Sequence, residues 1–85
     1  MRKIDFVYIE GILFDKLPIN KTVLDLVFFI MSGGEVPPIK LIKTKNGYTL
    51  KDGRHRVAAY KLLGKKMILA KFDLRQLLTD LSDEI

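Results

Sequence analysis

The sequence predicts a small α+β domain on a mixed β-sheet, with elements in the order β-α-β-β-α-β-α. Three observations predict it. Short runs rich in Ile, Val, Leu and Tyr alternate with longer stretches of helical character, the pattern of mixed folds. Asn46-Gly47 separates two of the runs and signals a hairpin, because a type I′ turn needs positive φ at both central positions. The 85 residues contain no cysteine, which fits a single domain over 1–85 with one modest core and no disulfide staple.

Taken in order, residues 3–9 mix Ile4, Phe6, Val7, Tyr8 and Ile9 with charges and read as a strand that Gly11 breaks. Asp15-Lys16-Leu17-Pro18 is turn-like. Thr22 with Asp25 resembles a capping box, so a helix is predicted to start near Val23 and to stop at Gly33-Gly34. That helix is apolar on nearly every side, which fits either a central place in the core or a homodimer contact through residues 23–31. Pro37-Pro38 sets an extended lead into a strand over 39–44, and the return strand covers 48–51 with Tyr48 and Leu50 on one face. A second helix is predicted over 54–63, with Ala59, Leu62 and Leu63 inward and Gly64 as its stop. Residues 67–72 are almost continuously apolar and read as an interior strand. Asp73 then caps a last helix over 74–81, with Gln76 completing the box.

Composition removes several classes of function. Without cysteine there is no thiolate zinc site and no thiol nucleophile, and a single histidine excludes a histidine metal cluster. The longest apolar run, 26–31, is far short of the roughly 20 residues that cross a bilayer. No signal-peptide pattern opens the chain, so a cytoplasmic setting with no membrane partner is expected. The net charge of +5 is uneven. Residues 1–36 carry −1, residues 37–66 carry +8 from nine basic side chains and one acidic, and residues 67–85 carry −2. A middle third of that sign attracts nucleotide phosphates, nucleic acid or an acidic partner, although strand-flanking lysines also serve to keep sheet edges unpaired.

One stretch carries chemistry. Asp52-Gly53-Arg54-His55-Arg56 lies where a strand runs into a helix. The first amides of a helix lack intrahelical acceptors, and the dipole adds partial positive charge there. Cations in that turn are unfavourable unless an anion is present, so Gly53, Arg54, His55 and Arg56 are the candidate phosphate-binding residues. Positions 54 and 56 are about 200° apart around a helix, so Arg56 is expected to reach the ligand with one of Arg54 and His55. Arginines bridging to acids such as Asp52 or Asp5, and a His55 that satisfies a backbone carbonyl, are the purely structural readings. Asp52 reads as a helix N-cap, or as a catalytic carboxylate that accepts a substrate hydroxyl or holds Mg²⁺. Pro37 and Pro38 are a plain strand lead or a rigid rim to the pocket.

Val36-Pro37-Pro38-Ile39, the Asn46-Gly47 hairpin, the run from Asp52 to Tyr60 and residues 65–72 together resemble the ParB/sulfiredoxin superfamily. The resemblance covers residues 13–78 and is densest over 36–72. It implies a Gly-x-x-Arg box that binds nucleotide phosphates, CTP in ParB proteins and ATP in sulfiredoxins and the related free-serine kinases, with Gly53, His55 and Arg56 on the binding positions. Arg54 stands where sulfiredoxins have their catalytic cysteine, which argues against sulfinic acid reduction. ParB proteins have Glu-Arg-Arg after the glycine and continue into a helix-turn-helix module, whereas this chain ends at Ile85. The Asp-Gly-x-x-Arg spelling is nearest to the serine kinase-like members. The expected function is therefore a ParB-like nucleotide-binding module acting as a switch or as a partner- or DNA-associated domain. A small Mg²⁺-dependent phosphotransfer or nucleotide-hydrolysing enzyme, and direct nucleic-acid binding through residues 37–66, are the alternatives.

Overall fold

The computed structural model describes residues 2–14, 16–45 and 47–73. Strand β1 (Arg2–Tyr8) leads through a 3₁₀ turn at Ile9–Gly11 into the two-residue strand β2 (Ile12–Leu13). Helix α1 (Lys21–Met31), strands β3 (Ile39–Thr44) and β4 (Gly47–Asp52), helix α2 (Arg54–Leu62) and strand β5 (Met67–Asp73) follow. The α+β class and the mixed sheet are as the sequence predicts. The predicted helix over 74–81 and Asn46 of the hairpin lie outside the described residues.

The sheet has the order β1-β5-β3-β4-β2. β1 is antiparallel to β5, β5 parallel to β3, β3 antiparallel to β4, and β4 parallel to β2. The nearly continuous apolar run of β5 is thereby explained, since this strand has a neighbour on each side. β1 ends earlier than Gly11: the chain leaves the sheet at Ile9, whose N–H donates to the Lys66 carbonyl at 2.9 Å. β2 is not expected from the sequence; it adds a short edge through Ile12 beside Tyr48 and Leu13 beside Thr49.

Alternation sends Val7, Ile39, Leu41, Ile68, Ala70 and Phe72 to one face of the sheet, where Val57 of α2 completes the main core. Tyr48 packs on Phe72 with ring centroids 5.2 Å apart. α1 lies on the far side of α2, where Val23 is buried against Ala58 and Ala59, small residues that admit a close helix approach. Helix α1 is therefore not central. It covers α2 with one side and leaves Leu24, Phe28, Phe29 and Met31 exposed on the other. The inward residues of α2 are Val57, Ala58 and Ala59 and not the expected Leu62, which is 54% exposed. Leu62 falls at the last turn of α2, beyond the packed centre. Among the described residues no helix is long and apolar enough to cross a membrane.

Candidate functional site

The site is assembled where β4 becomes α2. Lys40 pairs with Asp52 but the adjacent Leu41 pairs with Leu50, so the register shifts and Lys51 is an extra residue on β4. Such a bulge kinks a strand and re-aims its end. Gly53 follows at φ +112°, a left-handed conformation that residues with a Cβ rarely adopt. A Cβ on Gly53 would also lie 2.5 Å from Cγ2 and 2.9 Å from Cβ of Ile39, which is fully buried. The glycine is thus required twice, by its φ and by its seat on the core.

Gly53 is also the N-cap of α2, and it has no side chain with which to cap. This corrects the reading of Asp52 as the cap: Asp52 ends β4, and its Oδ2 accepts instead from Arg56 Nη2 at 3.2 Å. The first ladder bond of α2 runs from Val57 N–H to the Gly53 carbonyl at 2.9 Å. The amides of Arg54, His55 and Arg56 consequently precede the ladder, and no acidic residue stands in that turn. These groups open on a cleft of about 900 Å³. Leu13, Phe14, Lys16, Leu26, Val36 and Pro37 line it together with residues 49–56.

Asp52, Gly53, Arg54, His55, Arg56 and Pro37 are therefore brought to one cleft, while Pro38 is not among its lining residues. Arg56 is engaged within the protein. Its Nη1 donates to the carbonyls of Pro37 at 2.9 Å and Pro38 at 2.8 Å, and its Nη2 to Asp52. The guanidinium fork thus fastens the proline rim to the start of α2. The arginine-to-Asp52 bridge, the structural reading of the sequence, is formed. Arg54 is exposed and His55 half-buried.

Sequence reasoning missed Lys16, Phe14 and Asn20. Asn20, and not Thr22, caps α1: its Oδ1 accepts from Val23 N–H at 3.1 Å. An Asn three residues before the first buried position of α1 was the available signal. With Oδ1 engaged, the Asn20 amide Nδ2 faces His55 Nε2 at 3.5 Å. One asparagine thereby caps a helix and orients the histidine of the cleft.

No protein-family model and no curated protein matches the chain. Solved structures do. Sulfiredoxin from Arabidopsis thaliana is similar over 84% of this chain and 84% of its own, with a TM-score of 0.69 and 27% identity. A conserved hypothetical protein from Pyrococcus furiosus matches 84% of this chain with a TM-score of 0.73 and 20% identity, and a Pnob8-like ParB N-domain matches 89% with 0.67 and 24%. The chain spans about a third of the length of each of these last two, 32% in both cases. A five-stranded mixed sheet with an uncapped helix start beside its central strands, and likeness to both sulfiredoxin and the ParB N-domain, give this chain the ParB/sulfiredoxin-like fold.

Proposed function

We propose that the chain is a nucleotide-binding module of ParB type that takes the phosphates of a nucleoside triphosphate, ATP or CTP, at the start of α2. The observation that carries the reading is the uncapped first turn of α2, which opens on the cleft with Arg54, His55 and Arg56 and has no acidic residue of its own. The donor set fits a phosphate group. Backbone amides of residues 54–56 supply directed hydrogen bonds, while Arg54 adds charge and donors and His55 a ring nitrogen beside them. Lys16 and Lys51 raise the local anion concentration from the walls. Apolar Leu13, Phe14 and Leu26 in the lining suit a base or sugar. Mg²⁺, where the phosphates bring it, would meet Asp52, which lines the cleft and is held by Arg56. With no cysteine in the chain, sulfinic acid reduction does not belong to the proposal.

Calorimetric titration with ATP, CTP, GTP and UTP, with and without Mg²⁺, tests this reading. At least one nucleotide is expected to bind with a Kd below 1 mM, and Arg54→Ala to weaken it about tenfold. Binding of none of the four below 1 mM, about −4 kcal/mol, overturns it. If the complex also turns over, Asp52→Ala separates the two roles, since a variant that binds without turnover identifies a small phosphotransfer or hydrolysing enzyme. Direct nucleic-acid binding predicts instead an affinity falling with a log–log salt slope near −0.9 per phosphate contacted on duplex DNA.

A further inference from the structure

The helices lie on one face of the sheet, and the other face carries an aromatic pair. On β1, Phe6 and Tyr8 flank the buried Val7 and are 61% and 60% exposed. Two steps apart on one strand face, they are spaced about 7 Å along it. The register sets Phe6 beside Leu69 and Tyr8 beside Met67 of β5, so the pair stands on an apolar strip two strands wide. Cations bracket this strip along the strands. At one end Lys71 lies beside Ile4, and Lys40 beside Lys71, on the same face as the aromatics. Beyond the other end, the exposed Lys65 and Lys66 precede Met67. A second cleft, of about 590 Å³, adjoins Tyr8 there and sets Lys61, Lys65 and Lys66 against one acid, Glu10. Asp5, next to Phe6 in the chain, belongs to the opposite pleat, and its Oδ1 accepts from the Phe6 N–H at 2.8 Å.

We propose that this face binds a single-stranded nucleic acid, with bases stacked on Phe6 and Tyr8 and phosphates drawn to the lysines at both ends. Each part of that ligand answers one part of the surface. An unpaired base offers a flat π-face, and exposed aromatics on an open sheet stack such bases whatever their identity. The phosphates on either side of the stacked bases meet Lys40 and Lys71 at one end and Lys65 and Lys66 at the other. A duplex keeps its base faces covered and would leave the aromatics unused. A second copy of the chain fits less well, because a two-fold contact through this face presses together two strips flanked by lysines of one sign. None of these residues lines the cleft at the start of α2, so the proposal stands apart from nucleotide binding there.

Fluorescence anisotropy of the full chain with an end-labelled oligothymidylate of about 12 nucleotides is the test. Binding is expected at low salt, with a log–log salt slope near −0.7 per phosphate contacted. Phe6→Leu and Tyr8→Leu keep an apolar side chain on the strand but lose the π-face, and each is expected to weaken binding about fivefold or more. Tyr8→Phe is expected to hold the parental affinity, as is Phe28→Ala on the exposed side of α1. Circular dichroism matching the parent shows that these variants are folded. The proposal is overturned if the oligothymidylate binds no tighter than about 100 μM at low salt, or if both leucine variants keep the parental affinity. Equal affinity for a duplex of the same length overturns it too. So does a dimer in sedimentation velocity that the leucine variants dissociate, which assigns the face to a second copy.

Discussion

At the scale of single residues, the site depends on three side chains and on the absence of a fourth. Gly53 cannot take a Cβ without displacing Ile39 from the core, and its φ of +112° is one that residues with a Cβ rarely adopt. Gly53→Ala is therefore expected to destabilise the fold by about 3 kcal/mol, from backbone strain together with overpacking, as read by urea denaturation. Arg56 makes its contacts through two guanidinium nitrogens at once, and an ammonium cannot reproduce that fork. Arg56→Lys should lose about 1–2 kcal/mol with the two carbonyl bonds, whereas Asp52→Asn should lose well under 1 kcal/mol, since the Asp52 side chain is 59% exposed. Equal losses in the same denaturation series would mean that the ion pair, and not the proline rim, is what Arg56 secures. These roles were only partly visible in the sequence. The residues of the box do meet at the start of α2, but carbonyls 18 and 19 positions away leave no side-chain signature, so the partners of Arg56 could not be read. The cap assigned to Asp52 failed because a left-handed N-cap demands the glycine itself.

At the scale of elements, α1 is tied to the cleft through its own first turn. Asn20→Ala should cost about 1 kcal/mol of stability through the lost cap. Asn20→Asp keeps the oxygen that accepts from Val23 but removes the amide donor that faces His55. Thermal melts are expected to show Asn20→Asp near the parent and Asn20→Ala below it, while nucleotide titration should show both weakened. A full-affinity Asn20→Asp would mean that orientation of His55 is immaterial to binding. α2 is closed at its other end by paired bonds, Gly64 N–H to the Lys61 carbonyl and Lys65 N–H to the Tyr60 carbonyl, both 3.0 Å. That stop was legible because Gly64 announces it, and the hairpin and the interior strand were legible for similarly local reasons. β2 was not, since two residues carry no periodicity. Nor was the outer position of α1, because an all-round apolar helix does not disclose which side meets the core.

At the scale of the whole molecule, ligand and fold are coupled through Gly53 and Ile39, so a nucleotide that binds the cleft should stabilise the entire sheet. Saturation at about 100 times Kd is worth about 2.7 kcal/mol, which for a domain of this size raises Tm on the order of 10 °C. Differential scanning calorimetry with the preferred nucleotide checks this, and an unchanged Tm at saturating concentration would mean that the nucleotide does not bind the folded domain preferentially. The strand order carries a consequence for synthesis. β1 is the first strand made, yet its partner is β5, some sixty residues later along the chain. The β3–β4 hairpin and α2 can close from local contacts as they emerge, but β1 must wait with an unpaired edge and the core side chain of Val7 in water. A chain whose β3, β4 and α2 have formed before β5 joins them is therefore a half-built sheet with an open slot between β1 and β3, the state in which a foreign strand is best able to mispair.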